Sequence, residues 1–116
     1  MRHKKRKFTF GRETAQKKAL LRGLATNLVL HGSIKTTTAK AKALRTVVEP
    51  LVTRARKGGM FNRQRIASVL YTREAVKKML DEIGPKYTQR NGGYTRITKI
   101  GTRPNDGADM ARIEFV

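Results

Sequence analysis

The chain has 116 residues, with 27 Lys and Arg against 8 Asp and Glu, a formal net charge of +19. That length suits one domain, and a charge this far from zero resists compaction unless a polyanion neutralises it, so the composition points to nucleic acid. The absence of cysteine excludes a disulfide framework and thiolate chemistry, and no apolar run approaches the roughly 18 residues of a membrane span.

The first element in chain order is Met1–Arg12, MRHKKRKFTFGR, with six basic residues, no acid and no helical or strand period. A run like this repels itself when free, and the expectation is an extended arm that orders on a phosphate backbone. Phe8 and Phe10, interleaved with the cations, can stack on bases or fill an apolar notch. The basic start is not followed by an apolar stretch, so it does not read as a secretory signal. The expected setting is a soluble, uncleaved, cytoplasmic chain without membrane contact.

Residues 13–116 are expected to form one globular α+β domain, about four helices packed on a small mixed sheet of about three strands. Glu13 to about Leu30 reads as a helix stopped by Gly32. Leu20, Leu24 and Leu28 mark one face and Leu21, Ala25 and Val29 continue it round the cylinder, which predicts central burial. Ser33–Thr37 is a β-branched run and reads as a strand. Thr38 is the expected N-cap of a helix over Ala39–Lys57, with Leu44, Val47, Val48, Leu51, Val52 and Ala55 at helical spacing. The apolar pattern keeps its phase across Pro50, which predicts one kinked helix rather than two.

Asn62 is the expected cap of a shorter helix carrying Ile66, Val69 and Leu70. Thr72 is the expected cap of a fourth, with Val76, Met79, Leu80 and Ile83 inward and Gly84-Pro85 as its stop. Glu74–Lys78, Lys77–Asp81 and Lys78–Glu82 stand at i, i+4, so this helix is expected to balance its own charge and face solvent. Tyr94–Ile100 and Met110–Val116 read as two strands of a hairpin, with Ala111, Ile113 and Phe115 on one face and Arg112 and Glu114 on the other.

Charge is uneven along the chain. Residues 1–72 hold 18 basic and 2 acidic side chains, and residues 73–116 hold 9 and 6. The first part is therefore expected to meet the polyanion. Catalysis is poorly supported: no nucleophile elbow, P-loop or HExxH occurs. His3 and His31 are too far apart to suggest a zinc site. Asp106 and Asp109 fit turn chemistry better than a metal site. His31, at a helix end, fits the negative end of the dipole. The expected protein is not an enzyme and uses no metal, cofactor or small-molecule substrate.

Two clusters remain. In Lys35-Thr36-Thr37-Thr38-Ala39-Lys40-Ala41-Lys42, hydroxyls and amines meet a helix N-terminus, where backbone amides can hold a phosphate. In Gln89-Arg90-Asn91-Gly92-Gly93-Tyr94-Thr95-Arg96, a bare backbone lets a sugar-phosphate chain approach, and Tyr94 can stack or hydrogen-bond. RNA fits better than duplex DNA, because the basic face of the second helix is interrupted by Glu49 and Pro50 and makes a poor recognition helix.

MRHKK, IKTTTAKAKALR, VVEPL, GPKY, RNGGYTRI and ARIEFV occur in this order over nearly the whole chain. Together they resemble the bacterial large-subunit ribosomal protein 17 family. The resemblance implies a compact α+β fold and binding to large-subunit rRNA near the exit of the nascent-peptide tunnel, beside neighbouring large-subunit ribosomal proteins. No homo-oligomer is expected. Gln16-Lys17, Arg22-Gly23 and Ala39 depart from the family's usual His-Arg, Arg-Asn and Pro. The expected RNA-contacting residues are Arg2, His3, Lys4, Lys5, Arg6, Lys7, Arg12, Lys17, Arg22, Lys35, Thr36, Thr37, Lys40, Lys42, Arg45, Arg90, Gly92, Gly93, Tyr94 and Arg96.

Overall fold

The alternating last strand organises the sheet. In a computed structural model, which describes residues 14–116, β3 (Asp109–Phe115) lies between β1 (Ser33–Thr37) and β2 (Thr95–Thr102). Both pairings are antiparallel. The expectation of a mixed sheet is thereby corrected. The hairpin returns its second strand between β1 and β2, and these two, though they run the same way, never pair. Met1–Glu13 lie outside the described residues, as does the expected arm.

Period-two alternation sends Ala111 and Ile113 inward, where both are fully buried. Ile34 and Ile97 flank Ile113 in register. Near Ile100 a bulge shifts the register between Lys99 and Gly101, and Gly101 takes the positive φ of 115° that this irregularity uses.

The helices cover that inner face. The helix α1 (Thr14–His31) leads into β1 through Gly32, at φ 81°. Only its second half is well packed: Ala25, Thr26, Leu28 and Val29 are buried, whereas Leu20, Leu21 and Leu24 remain half-buried. Central burial of the whole helix therefore does not hold. The fully buried positions gather in its C-terminal turns, while its middle meets the segment after α3 through Arg22 on Val69 O and Tyr71 on Ala19 O.

The helix α2 (Thr38–Lys57) continues through Pro50 as one element. It buries Ala41, Leu44, Val48, Leu51, Val52 and Ala55 against the sheet and the other helices. A fully buried Leu or Val is worth roughly 1.5–3 kcal/mol, so this stripe is the largest single contribution to the core. Its N-cap is Thr37 rather than Thr38: the Lys40 N–H donates to Thr37 Oγ1 at 3.3 Å, and the buried Thr38 hydroxyl has no partner among the described residues.

The helix α3 (Met60–Ala67) begins two residues before the expected cap, directly after Gly58-Gly59. Asn62 lies inside it, donating to Gly58 O at 2.8 Å and accepting from Arg54 Nη1 at 3.2 Å. For α4 (Arg73–Lys78), Thr72 does cap, accepting from Ala75 N–H at 3.1 Å. Beyond it the helix widens into a π-turn (Met79–Ile83) and then a last short turn (Gly84–Lys86). Gly84-Pro85 therefore does not stop it at Ile83. Gly84 is required by a close approach, since a Cβ there would lie 2.9 Å from Ala55 O. Ala75 of α4 and Met79 and Ile83 of the wider turn reach the core, while Val76 and Leu80 are half-buried.

The i, i+4 pairs expected on this last helix do not form among the described residues. Lys78 Nζ instead donates to Leu30 O at 2.9 Å, across to the C-terminal end of α1. That carbonyl belongs to the last turn of α1, where helical partners run out and a cation is favoured.

Candidate nucleic-acid interface

The open face of the sheet carries the side chains that alternate away from the core. Lys35 on β1 stands directly opposite Arg112 on β3, and Arg112 opposite Thr98 on β2; all three are exposed. One step along, Ser33, Glu114 and Arg96 form the next row. Glu114 is taken up by Arg96 in an ion pair. No such acid reaches Lys35 or Arg112 among the described residues. Like charges placed directly opposite across a sheet repel, and a bound polyanion relieves that repulsion.

A second basic stripe runs along the outer side of α2. Lys42, Arg45, Glu49 and Arg56 share a helical face. Lys42 is exposed, and Arg45 is exposed while lying 3.6 Å from Glu49. The Glu49 carboxylate is turned inward, accepting the backbone N–H of Thr95 at 3.0 Å and its hydroxyl at 2.8 Å. The acid that interrupts this face in sequence is thus committed to holding β2 on α2.

Arg56 fastens the glycine turn that precedes β2. Its guanidinium donates to the Tyr94 hydroxyl at 3.1 Å, to Thr88 O at 3.2 Å and to Asn91 Oδ1 at 3.4 Å. The Tyr94 hydroxyl donates in turn to Arg90 O at 3.1 Å. Gly92 and Gly93 are exposed, with nothing among the described residues near their missing Cβ atoms, so the backbone there is open to a close approach.

Several expected contacts are corrected. Tyr94 is only 1% exposed and packs against Tyr87 with ring centroids 5.2 Å apart, so its ring is core and has no face for a base. Thr36 is buried on the inner side of the sheet. Arg22 is spent internally: its Nε donates to Val69 O at 2.9 Å and its guanidinium sits 4.4 Å over the Tyr71 ring. The amide of Lys40, which a phosphate would use at the start of α2, is occupied by Thr37.

Lys35, Lys42, Arg45, Arg90, Gly92, Gly93 and Arg96 all lie exposed on the open sheet face, the α2 stripe or the glycine turn, with Lys40 half-buried at the start of α2. Lys17 is half-buried on α1, away from them in sequence and element. Arg2, His3, Lys4, Lys5, Arg6, Lys7 and Arg12 lie outside the described residues. Two further cations belong to the same surface but stand outside the expected set. Arg112 gains meaning only from the register that sets it against Lys35. Arg56 acquires its role only from the fold, which lays the glycine turn onto its guanidinium.

The chemistry of acids and histidines is sparse. Asp106 closes the β2–β3 connection, accepting from Arg103 Nε at 2.9 Å, Arg103 Nη2 at 2.7 Å and the Ala108 N–H at 3.2 Å. These hydrogen bonds, that of Arg103 foremost, hold its carboxyl down at about 2.

The sequence is similar to proteins of one family. The sequence model of the family described as "Ribosomal protein L17" matches residues 20–116. A protein of Gemmatimonas aurantiaca with the name "Large ribosomal subunit protein bL17" is 49% identical over 116 residues, covering 100% of this chain and 98% of that relative. One of the same name from Solibacter usitatus is 47% identical over 116 residues, covering 100% and 77%. Another from Clostridium acetobutylicum is 44% identical over 106 residues, covering 91% and 93%.

Proposed function

The chain belongs to the ribosomal protein L17 family, and from that footing we propose that it is a structural, non-catalytic constituent of the large ribosomal subunit that binds and stabilises large-subunit rRNA in the cytoplasm. The observation that carries the RNA reading is the opposed pair Lys35 and Arg112 on the open face of the sheet. With Arg96, the α2 stripe and the glycine turn, it makes a basic surface on a chain of net charge +19. Phosphates, rather than bases, are the main targets of such a surface, and they fix position without reading sequence.

Within this reading, residues 1–12 are an extended arm that orders on RNA, and 13–116 are one folded domain. The family resemblance supports neighbouring ribosomal proteins as partners and a place near the exit of the nascent-peptide tunnel as parts of the same proposal. Full-length protein should co-sediment with the large ribosomal particle through a high-salt gradient. It should also bind folded large-subunit rRNA in preference to duplex DNA at equal salt. Equal affinity for both nucleic acids, with release from the particle in salt, would contradict the proposal.

A further inference from the structure

Between Glu49 and Glu74 the chain carries six cations and no acid, and this segment includes the most exposed of the large apolar side chains among the described residues, Met60 at 69% and Phe61 at 64% exposure. Both lie at the start of α3, well away in sequence from the clusters discussed above. The Arg65 and Arg54 guanidinium carbons stand 5.4 and 5.9 Å from the centre of the Phe61 ring. These are loose approaches compared with the 4.4 Å at which Arg22 closes on Tyr71, and they leave the ring mostly open.

Arg54 is not free to wander. It donates to Asn62 Oδ1, and Asn62 is itself tied to Gly58 O. Beside it lies a cleft of about 480 Å³ between α2, the start of α3 and the glycine turn, with Arg54, Lys57, Asn62, Asn91 and Gly92 in its wall. Glu49 also lines this cleft, but its carboxylate is held by Thr95.

We propose that Phe61 is a stacking platform for one unpaired nucleotide of RNA, with Arg54 and Arg65 placed to contact the phosphates on either side of the stacked base. The proposal rests on the rRNA-binding reading above and adds a site to it. The charge of the segment selects the occupant. An aromatic face bracketed by guanidiniums, on a stretch without acids, suits a π-faced, polyanionic strand. A protein partner would need an acidic patch of its own to meet those cations, whereas every nucleotide of an RNA strand carries the required charge.

The test uses the full chain, large-subunit rRNA from the same organism and two variants, Phe61→Trp and Phe61→Leu. Because Phe61 is exposed, neither should shift the melting temperature. The chain contains no tryptophan, so the new indole reports on this position alone. Phe61→Trp should bind rRNA as tightly as the wild type, with its emission quenched in the complex. Phe61→Leu keeps an apolar side chain but has no aromatic face, and should bind about 5- to 150-fold more weakly. Unchanged affinity of Phe61→Leu, or unquenched emission from Phe61→Trp, would overturn the platform while leaving rRNA binding intact. Emission that changes only when other large-subunit proteins are added would assign the patch to a protein partner and overturn it too. Failure of the wild type to bind rRNA would overturn the underlying reading, and needs no variant to detect.

Discussion

The carboxylate of Glu49 on α2 accepts two hydrogen bonds from Thr95 on β2, one from its backbone N–H and one from its hydroxyl. Thr95 is buried, at 3% exposure, so these groups have little water to fall back on. The only acid between Glu13 and Glu74 in the sequence therefore fixes the sheet to the helix, and the strand that follows the glycine turn starts from this point.

Removing that acceptor leaves a buried N–H without a partner. Glu49→Ala should cost about 1–3 kcal/mol of stability, read as a fall in the urea midpoint at unchanged slope. Glu49→Gln keeps one acceptor oxygen and should lose clearly less. Equal losses for the two variants would show that charge, not hydrogen bonding, holds Thr95.

The two glycines of the turn should separate conformation from contact. Gly93 has a φ of 64°, where a side chain costs roughly 1–2 kcal/mol whatever surrounds it. Gly92 has no such demand and open space at its missing Cβ. Gly93→Val should thus lower thermal stability. Gly92→Val should melt like the wild type but bind rRNA more weakly, because its side chain keeps the phosphates off the backbone. Wild-type affinity for Gly92→Val would remove the turn from the RNA surface.

The strand-to-helix order, the apolar stripe of α2, the Thr72 cap and the final hairpin were legible because each depends on neighbours within a turn or a strand. Sheet order was not, since only the insertion of β3 between β1 and β2 decides it. The same holds for the site. Lys35, Lys42 and the glycine turn stand out in sequence as cations and bare backbone. Arg112 matters only through its partner across the sheet. Tyr94 and Arg22 carry the right chemistry for RNA, but the fold uses both internally: Tyr94 in the core and Arg22 on Val69 O and the Tyr71 ring. Such choices are made by long-range contacts that no local pattern encodes.

Asp106 provides a pH test of the β2–β3 connection. Its folded carboxyl titrates at about 2, below the ordinary 3.8, because Arg103 and the Ala108 N–H favour the charged form. A depressed carboxyl supports the loop above the ordinary value, and that support is lost as pH falls from about 3.8 through about 2. An NMR titration of the Asp106 carboxyl carbon should show the low midpoint, and Arg103→Gln should move it back up. A midpoint near 3.8 in the unsubstituted chain would break the assigned pairing.

If rRNA is held at the open sheet face rather than by net charge alone, the position of a charge and not only its sign decides affinity. Two double reversals carry the same change in charge: Lys35→Glu with Arg112→Glu on the open face, and Arg73→Glu with Lys77→Glu on α4. The second pair is also exposed, but α4 packs against α1 and α3 on the helical side. Lys78 is avoided because it is bonded to Leu30 O. The decisive measurement is the salt dependence of large-subunit rRNA binding. The open-face pair should lose affinity steeply and flatten the log–log slope by about 0.7–0.9 for each contact removed, while the α4 pair leaves the slope unchanged. Equal loss of affinity and slope from both pairs would contradict the account.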